Sequence, residues 1–379
     1  MENEDGRTPH LKKIMVSFGT RPEAIKMCPL VKELQQLEDV SLYVCVSGQH
    51  REMLQSVLDI FGVSPDLNLN VMTDNQGLKE LTEKVVNGMS DVLEKEKPDL
   101  LLVHGDTTTS YASALAAFYK RIPVGHVEAG LRTYNMSSPF PEEFNRVSID
   151  LMSDLCFAPT EVSKNNLIKE GKSPDKVFVT GNTIIDALNV TLSSDVSFDF
   201  EPLIQGRKII LLTAHRRENF GKPMKEMFRA ISDIAAENRN YCFVYTVHKN
   251  PLVYNTAHEC FEGAENVILT EPLDVVHFHK LLSRSEFVLT DSGGLQEEGP
   301  ALGKPVLIMR NTTERPEVID AGCAKMVGNS YESVYNGVKE LINNRKQYKE
   351  MSVKSFPFGK GGASLKISKI CQEYLAGKR

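Results

Sequence analysis

The sequence predicts an α/β protein of two Rossmann-like, doubly wound domains, and three observations carry that prediction. Short runs that are apolar almost throughout, such as Leu100-Leu101-Leu102-Val103, suit parallel strands covered on both faces. Each run is followed by a polar turn and then an amphipathic stretch, the grammar of repeated strand–helix units. That grammar restarts in the second half, and 379 residues with 41% apolar side chains suffice for two cores.

Taken in order, residues 1 to about 10 are charged and are expected to form a disordered tail. A strand begins at Lys12 and ends at Gly19. Thr20, Pro22 and Glu23 then mark a helix start, with Thr20 and Glu23 spaced as a capping box. Ala24, Met27, Val31 and Leu34 give its buried stripe. Residues 40–47 followed by 49–61, and 99–104 followed by 107–119, repeat the unit. A turn-rich stretch after Asn182 and a fresh strand at 208–212 place the boundary near residue 180. Strands are expected again at 242–247, 266–269, 287–290 and 306–309. The predicted domains are residues 1–180 and 181–362, with an amphipathic helix in 363–379 crossing back to the first.

A net charge of -6 and a pI near 5.9 offer no global field for nucleic acid or an anionic membrane. The seven cysteines are odd in number, dispersed and never spaced C-x-x-C, which fits a reduced, cytoplasmic setting. No signal-peptide core is seen, and no run approaches the roughly 20 apolar residues of a membrane span.

Loops after predicted strands collect at the carboxyl edge of such sheets, where ligands bind. The stretch Gly125-His126-Val127-Glu128-Ala129-Gly130-Leu131-Arg132-Thr133, with residues 139–146 after it, reads as a loop-like segment dense in charge. It is either a solvated surface loop or the wall of a cleft, and the apolar runs that frame it favour the cleft. Glu128, Glu142 and Glu143, desolvated there, suit proton transfer near neutral pH. Arg21 and Lys26 flank a helix start that is an anion site or a plain cap. Asp106, in His104-Gly105-Asp106-Thr107, lines the site or caps the next helix. His215, with Arg216 and Arg217, is a phosphate clamp or part of a solvated charge run. Ser292-Gly293-Gly294 offers bare N–H groups to a phosphate, with Glu298 one turn on for ribose hydroxyls, unless it is an ordinary helix start. His248 lines the cleft or satisfies a turn. Metal-ligand spacing, a P-loop and a G-x-G-x-x-G fingerprint are missing, so neither metal nor redox cofactor is expected.

Together, residues 18–27, Gln49-His50-Arg51, 104–109, 125–133, 139–143, 215–218, 291–294 and 312–317 resemble the bacterial non-hydrolysing UDP-N-acetylglucosamine 2-epimerases, in order, from about Lys12 to the C-terminus. The resemblance implies a GT-B fold with its active site in the inter-domain cleft, a homodimer, no cofactor, and interconversion of UDP-GlcNAc and UDP-ManNAc. By the family's motifs Asp106, Glu128 and Glu142 match catalytic carboxylates, and His215 joins them. Arg21, Lys26 and His215 would handle the diphosphate, with Ser292, Gly293 and Gly294 taking its remaining oxygens. Glu298 would bind the ribose, Phe278 would pack near the uracil, and Arg315 would complete the pocket. Arg146 and Leu273 are counted with the substrate-binding residues, and Gln49 and His248 are candidates for a second, activating site. The chain departs from the family at residues 356–361 and at Thr246-Val247-His248.

That chemistry would expel UDP from C1 as a carboxylate removes the C2 proton, then re-add it after protonation from the opposite face. Three rivals share much of the motif set, one of them a catalytically silent sensor that would bind UDP-GlcNAc without consuming it. A hydrolysing 2-epimerase would release free UDP, and a GT-B glycosyltransferase would need an acceptor.

Overall fold

The computed structural model describes residues 11–48, 51–73 and 76–377, the side chains of Arg51 and Glu52 excepted. The expected tail lies outside them. Two compact units emerge, one of residues up to Ala187 together with those from Gly361 onward, the other Leu188–Lys360. The break falls inside the helix Thr183–Thr191.

The first unit is a parallel sheet of β1 (Lys12–Phe18), β2 (Val40–Val46), β3 (Leu67–Asn68), β4 (Leu100–His104), β5 (Val124–Val127), β6 (Leu155–Ala158) and β7 (Val177–Val179). Its order is β3-β2-β1-β4-β5-β6-β7, so the winding reverses between β1 and β4. All five residues of β4 are buried, which is why its sequence is apolar without alternation. One face is covered by the helices Leu78–Glu96 and Thr108–Tyr119, which place Val85, Met89 and Leu93 against Ala112, Ala116 and Leu101. Burying side chains such as Met89 or Leu101 contributes about 1.5–3 kcal/mol each.

The second unit repeats the design with β8 (Lys208–Thr213), β9 (Tyr241–Thr246), β10 (Val267–Thr270), β11 (Phe287–Thr290), β12 (Val306–Ile308) and β13 (Ala324–Met326), ordered β10-β9-β8-β11-β12-β13. Period-2 alternation sends Ile210, Leu212, Phe243 and Tyr245 to one core, with Met227, Phe228 and Ile231 of the helix Lys222–Glu237. Ile209, Leu211, Cys242 and Val244 face the other, with Leu281, Leu282 and Phe358. The helix Ala363–Leu375 packs on the helix Arg21–Leu34 of the first unit. Asp186 accepts the N–H groups of Gly362 at 2.5 Å and Ser364 at 2.7 Å ahead of it. Among the described residues no helix is long and apolar enough to cross a membrane.

One expectation is corrected. Gly125, His126 and Val127 belong to strand β5 rather than to a loop. Gly125 is there because a Cβ would fall 2.5 Å from Leu102 Cδ2 and 3.2 Å from a Phe157 ring carbon, so it reports close packing between strands, not a turn.

Candidate active site

In the first unit, Asp106 and Glu128 follow the adjacent strands β4 and β5, whose register pairs His104 with Val127. The Gly105 N–H donates to Val127 O at 2.9 Å and keeps the two strand ends together. Glu128 is 8% exposed and holds a left-handed backbone, φ +69°, uncommon for a residue with a Cβ and costing about 1–2 kcal/mol. Lys26 Nζ donates to Glu128 Oε2, and Asn182 Nδ2 donates to the same oxygen at 2.6 Å. A carboxylate kept from water and held by two donors has a fixed direction and a fixed partner set.

The backbone around Glu128 is held from below. His126 has Nδ1 2.6 Å from Asp150 Oδ1 and Nε2 2.7 Å from Gly105 O. Both ring nitrogens are thus engaged by oxygen atoms, which fixes the orientation of the ring. Arg132 Nη1 lies 2.8 Å from the other Asp150 oxygen, and its remaining nitrogens pair with Glu170. Burial alone would raise the Asp150 carboxyl, but His126 and Arg132 outweigh it and hold the group below the usual carboxylate range.

Asp106 is clamped by Arg146, whose Nε donates to Oδ2 at 3.1 Å and whose Nη2 donates to the same atom. Arg146 Nη1 donates to Glu143 Oε2 at 2.9 Å, and Glu143 in turn accepts the N–H groups of Thr133 and Tyr134. Glu143 is fully buried and serves as this anchor. Glu142 opens the helix Glu142–Met152 one turn before Arg146, on the same helical face. Sequence reasoning counted Arg146 with substrate contacts; its guanidinium is buried and engaged by Asp106 and Glu143.

Glu23 completes the capping box with Thr20 and also accepts from Thr107 Oγ1 at 2.7 Å and Ser110 Oγ at 2.8 Å. It therefore ties the turn after β1, ahead of the helix that carries Arg21 and Lys26, to Thr107 and the first turn of the helix after β4. Burial raises its pKa against those hydrogen bonds. Lys26, expected at the diphosphate, is 7% exposed and engages Glu128 here. Neither Asn182 nor the anchoring roles of Asp150 and Glu143 was legible beforehand. Their partners lie 54, 24 and 10 positions away respectively.

In the second unit, His215 follows β8 and Asp291 follows the neighbouring β11. The Asp291 carboxylate accepts the backbone N–H groups of His215 at 2.9 Å and Arg216 at 2.8 Å, and Asn219 Nδ2 at 3.1 Å. Asp291 thus shapes the loop that presents His215, a role the Asp-Ser-Gly-Gly motif did not announce. His248 stacks on His215, ring centroids 5.7 Å apart, and its Nδ1 accepts from Asn250 N. Gly293 has no room for a side chain, since a Cβ would sit 2.7 Å from Arg315 Nη1 and 2.9 Å from Glu314 Oε1. Those two atoms are fixed by their own pairing at 2.6 Å, and Arg315 Nε donates to Glu297 at 2.5 Å. Arg315 therefore supports the Ser292–Gly294 turn from behind. Glu298 Oε2 lies 3.3 Å from Nε2 of the buried His279, and Leu273 and Phe278 pack half-buried on the adjoining core. Gln49 lies outside the described residues.

Parallel doubly wound sheets in both units, with carboxylates at the carboxyl edge of one and a histidine and a glycine turn at that of the other, define an α/β enzyme of the GT-B class. The family model described as UDP-N-acetylglucosamine 2-epimerase matches residues 32–372. A Bacillus subtilis protein named UDP-N-acetylglucosamine 2-epimerase is 52% identical over 94% of this chain and 93% of its own length. Among solved structures, S. aureus MnaA in a co-structure with UDP is 48% identical at a TM-score of 0.93, covering 96% of this chain and 97% of that one. The Neisseria meningitidis UDP-GlcNAc 2-epimerase bound to UDP-GlcNAc is 46% identical at a TM-score of 0.92, covering 95% of this chain and all of its own. The chain belongs to the UDP-N-acetylglucosamine 2-epimerase family.

Proposed function

We propose that the chain is a non-hydrolysing UDP-GlcNAc 2-epimerase, interconverting UDP-GlcNAc and UDP-ManNAc. Removing the weakly acidic C2 proton is coupled to departure of UDP from C1. The C–H electron pair becomes the C1–C2 double bond of an acetamidoglucal, and the C1–O pair leaves with UDP. A proton then reaches C2 from the other face and UDP re-adds. Glu128, Glu142 and Asp106 share the acid and base roles, with Arg146 positioning Asp106 rather than touching substrate. Arg21, Lys26 and His215 act on charge that develops on the departing diphosphate, where such groups accelerate most. Ser292, Gly293 and Gly294 receive the remaining phosphate oxygens, Glu298 the ribose, and Leu273 and Phe278 the uracil. The strongest support is Glu128, a carboxylate shielded from water and locked by Lys26 and Asn182.

Incubation with UDP-GlcNAc in D2O tests the reading. Formation of UDP-ManNAc with deuterium at C2 and almost no free UDP is expected. Stoichiometric UDP with free sugar would replace it with the hydrolytic reaction. A homodimer is part of the proposal, and the exposed Phe118, Tyr119 and Leu151 offer it apolar surface. Light scattering giving twice the 42.3 kDa chain mass is the expected result.

A further inference from the structure

We infer that His104 is the hydrogen-bond acceptor for Glu128 in its protonated form, a positioning residue that lets this carboxyl group hold a proton after a small approach of the two side chains. The inference rests on the epimerase reading and adds to it a residue that the motifs left unassigned.

His104 ends β4 with its side chain 5% exposed, and neither Nδ1 nor Nε2 has a hydrogen-bond partner among the described residues. An unpaired buried polar atom costs about 1–3 kcal/mol, so such a ring is expected to have a partner in some state of the protein. The nearest candidate is Glu128, whose Oε2 is 3.7 Å from Nε2, just beyond hydrogen-bond length. Ionised Glu128 only accepts, and Lys26 and Asn182 supply donors to that oxygen. Protonated Glu128 carries an O–H that needs an acceptor. The Lys26 ammonium and the Asn182 N–H groups only donate; a neutral imidazole with its hydrogen on Nδ1 offers a lone pair at Nε2.

The surroundings keep the ring neutral. Burial, aided by Lys26 from the helix Arg21–Leu34 and His126 from β5, outweighs Glu128 and Asp106 and pushes His104 down to about 4. Glu23 is linked to the residue through Ser110 Oγ, which lies 2.8 Å from Glu23 Oε1 and 2.6 Å from His104 O. A ring that resists charging accepts the hydrogen bond and leaves the proton on Glu128. In the elimination the C2 proton lands on a Glu128 oxygen, its O–H points to Nε2, and the same proton or its exchange product returns to carbon in the reverse direction.

Steady-state kinetics of His104→Leu, His104→Gln and His104→Leu/Glu128→Gln, each checked for UDP affinity, test this. His104→Leu should lower kcat about 10–100-fold with KM within about threefold. It should also move the acid limb of the kcat–pH profile to lower pH by about one unit. His104→Gln, which places a polar atom near Nε2, should recover most of the loss. In a Glu128→Gln background His104→Leu should cost nothing further. Wild-type kcat in His104→Leu, equal defects in the Leu and Gln variants, or an undiminished Leu effect in the Glu128→Gln background would each overturn the inference. Should His104→Leu fail to fold, Gln is compared with the shorter Asn, and equal kcat values refute the role. A wild-type protein that does not convert UDP-GlcNAc instead refutes the epimerase reading itself.

Discussion

Asp291 accepts the backbone N–H of His215 at 2.9 Å, so the end of β11 sets the shape of the loop after β8. The imidazole itself stacks on His248, with Nδ1 3.4 Å from Asp291 Oδ1, so the same carboxylate holds both the main chain and the ring of His215. Asp291→Asn keeps the volume but removes the charge that strengthens these bonds. Affinity for UDP should fall about tenfold by calorimetry; unchanged affinity would remove Asp291 from the site's support.

Glu128→Gln retains the shape and deletes the proton carrier. The rate of epimerisation should drop by roughly 10²–10⁴-fold while UDP still binds within about threefold. Deuterium incorporation at C2, followed by mass spectrometry, should fall in parallel with turnover.

Arg146→Lys substitutes a point charge for a planar fork that grips Asp106 and Glu143 together. The expected loss is tenfold or more in kcat, with KM little changed. A change confined to KM would return Arg146 to the substrate contacts.

Gly293→Ala pushes a Cβ against Arg315 and Glu314, whose side chains are buried and paired. UDP affinity should weaken by about tenfold or more in calorimetric titration, with the overall fold intact by circular dichroism.

Stability should also carry the signature of His104. Its ordinary pKa of 6.5 is depressed to about 4 in the folded protein. Between those values the unfolded chain binds the extra proton, so stability falls as pH drops through that window and is fully present above it. From pH 7 to 4.5 this single ring removes on the order of 2 kcal/mol. Urea unfolding at the two pH values should show a drop smaller by about that amount in His104→Gln than in wild type.

The strand–helix grammar was legible wherever strands were long or wholly apolar, as at β1, β4 and β8. The capping box of Thr20 and Glu23 was legible as well, because both halves of it lie within one turn. The short strands β3, β6, β7 and β13 went unseen, since runs of two to four residues carry little periodic signal. β5 resembles a loop in the sequence because Gly125 and His126 look like turn residues until Leu102 and Phe157 are beside them. In the site, motifs point to Asp106, Glu128, His215 and Asp291, while Asn182, Asp150 and the anchoring role of Asp291 are hidden. Their partners arrive from distant strands, and nothing local in the sequence encodes those meetings.

The helix Ala363–Leu375 buries Ile367 and Cys371 in the first unit, although more than 170 residues separate it from Asp186, which fastens its start. A nascent chain therefore emerges from the ribosome with its leading lobe unfinished, and that lobe waits through synthesis of the whole intervening one. The face of the helix Arg21–Leu34 on which the late helix packs stays uncovered for that interval, the period in which a chaperone has most to protect.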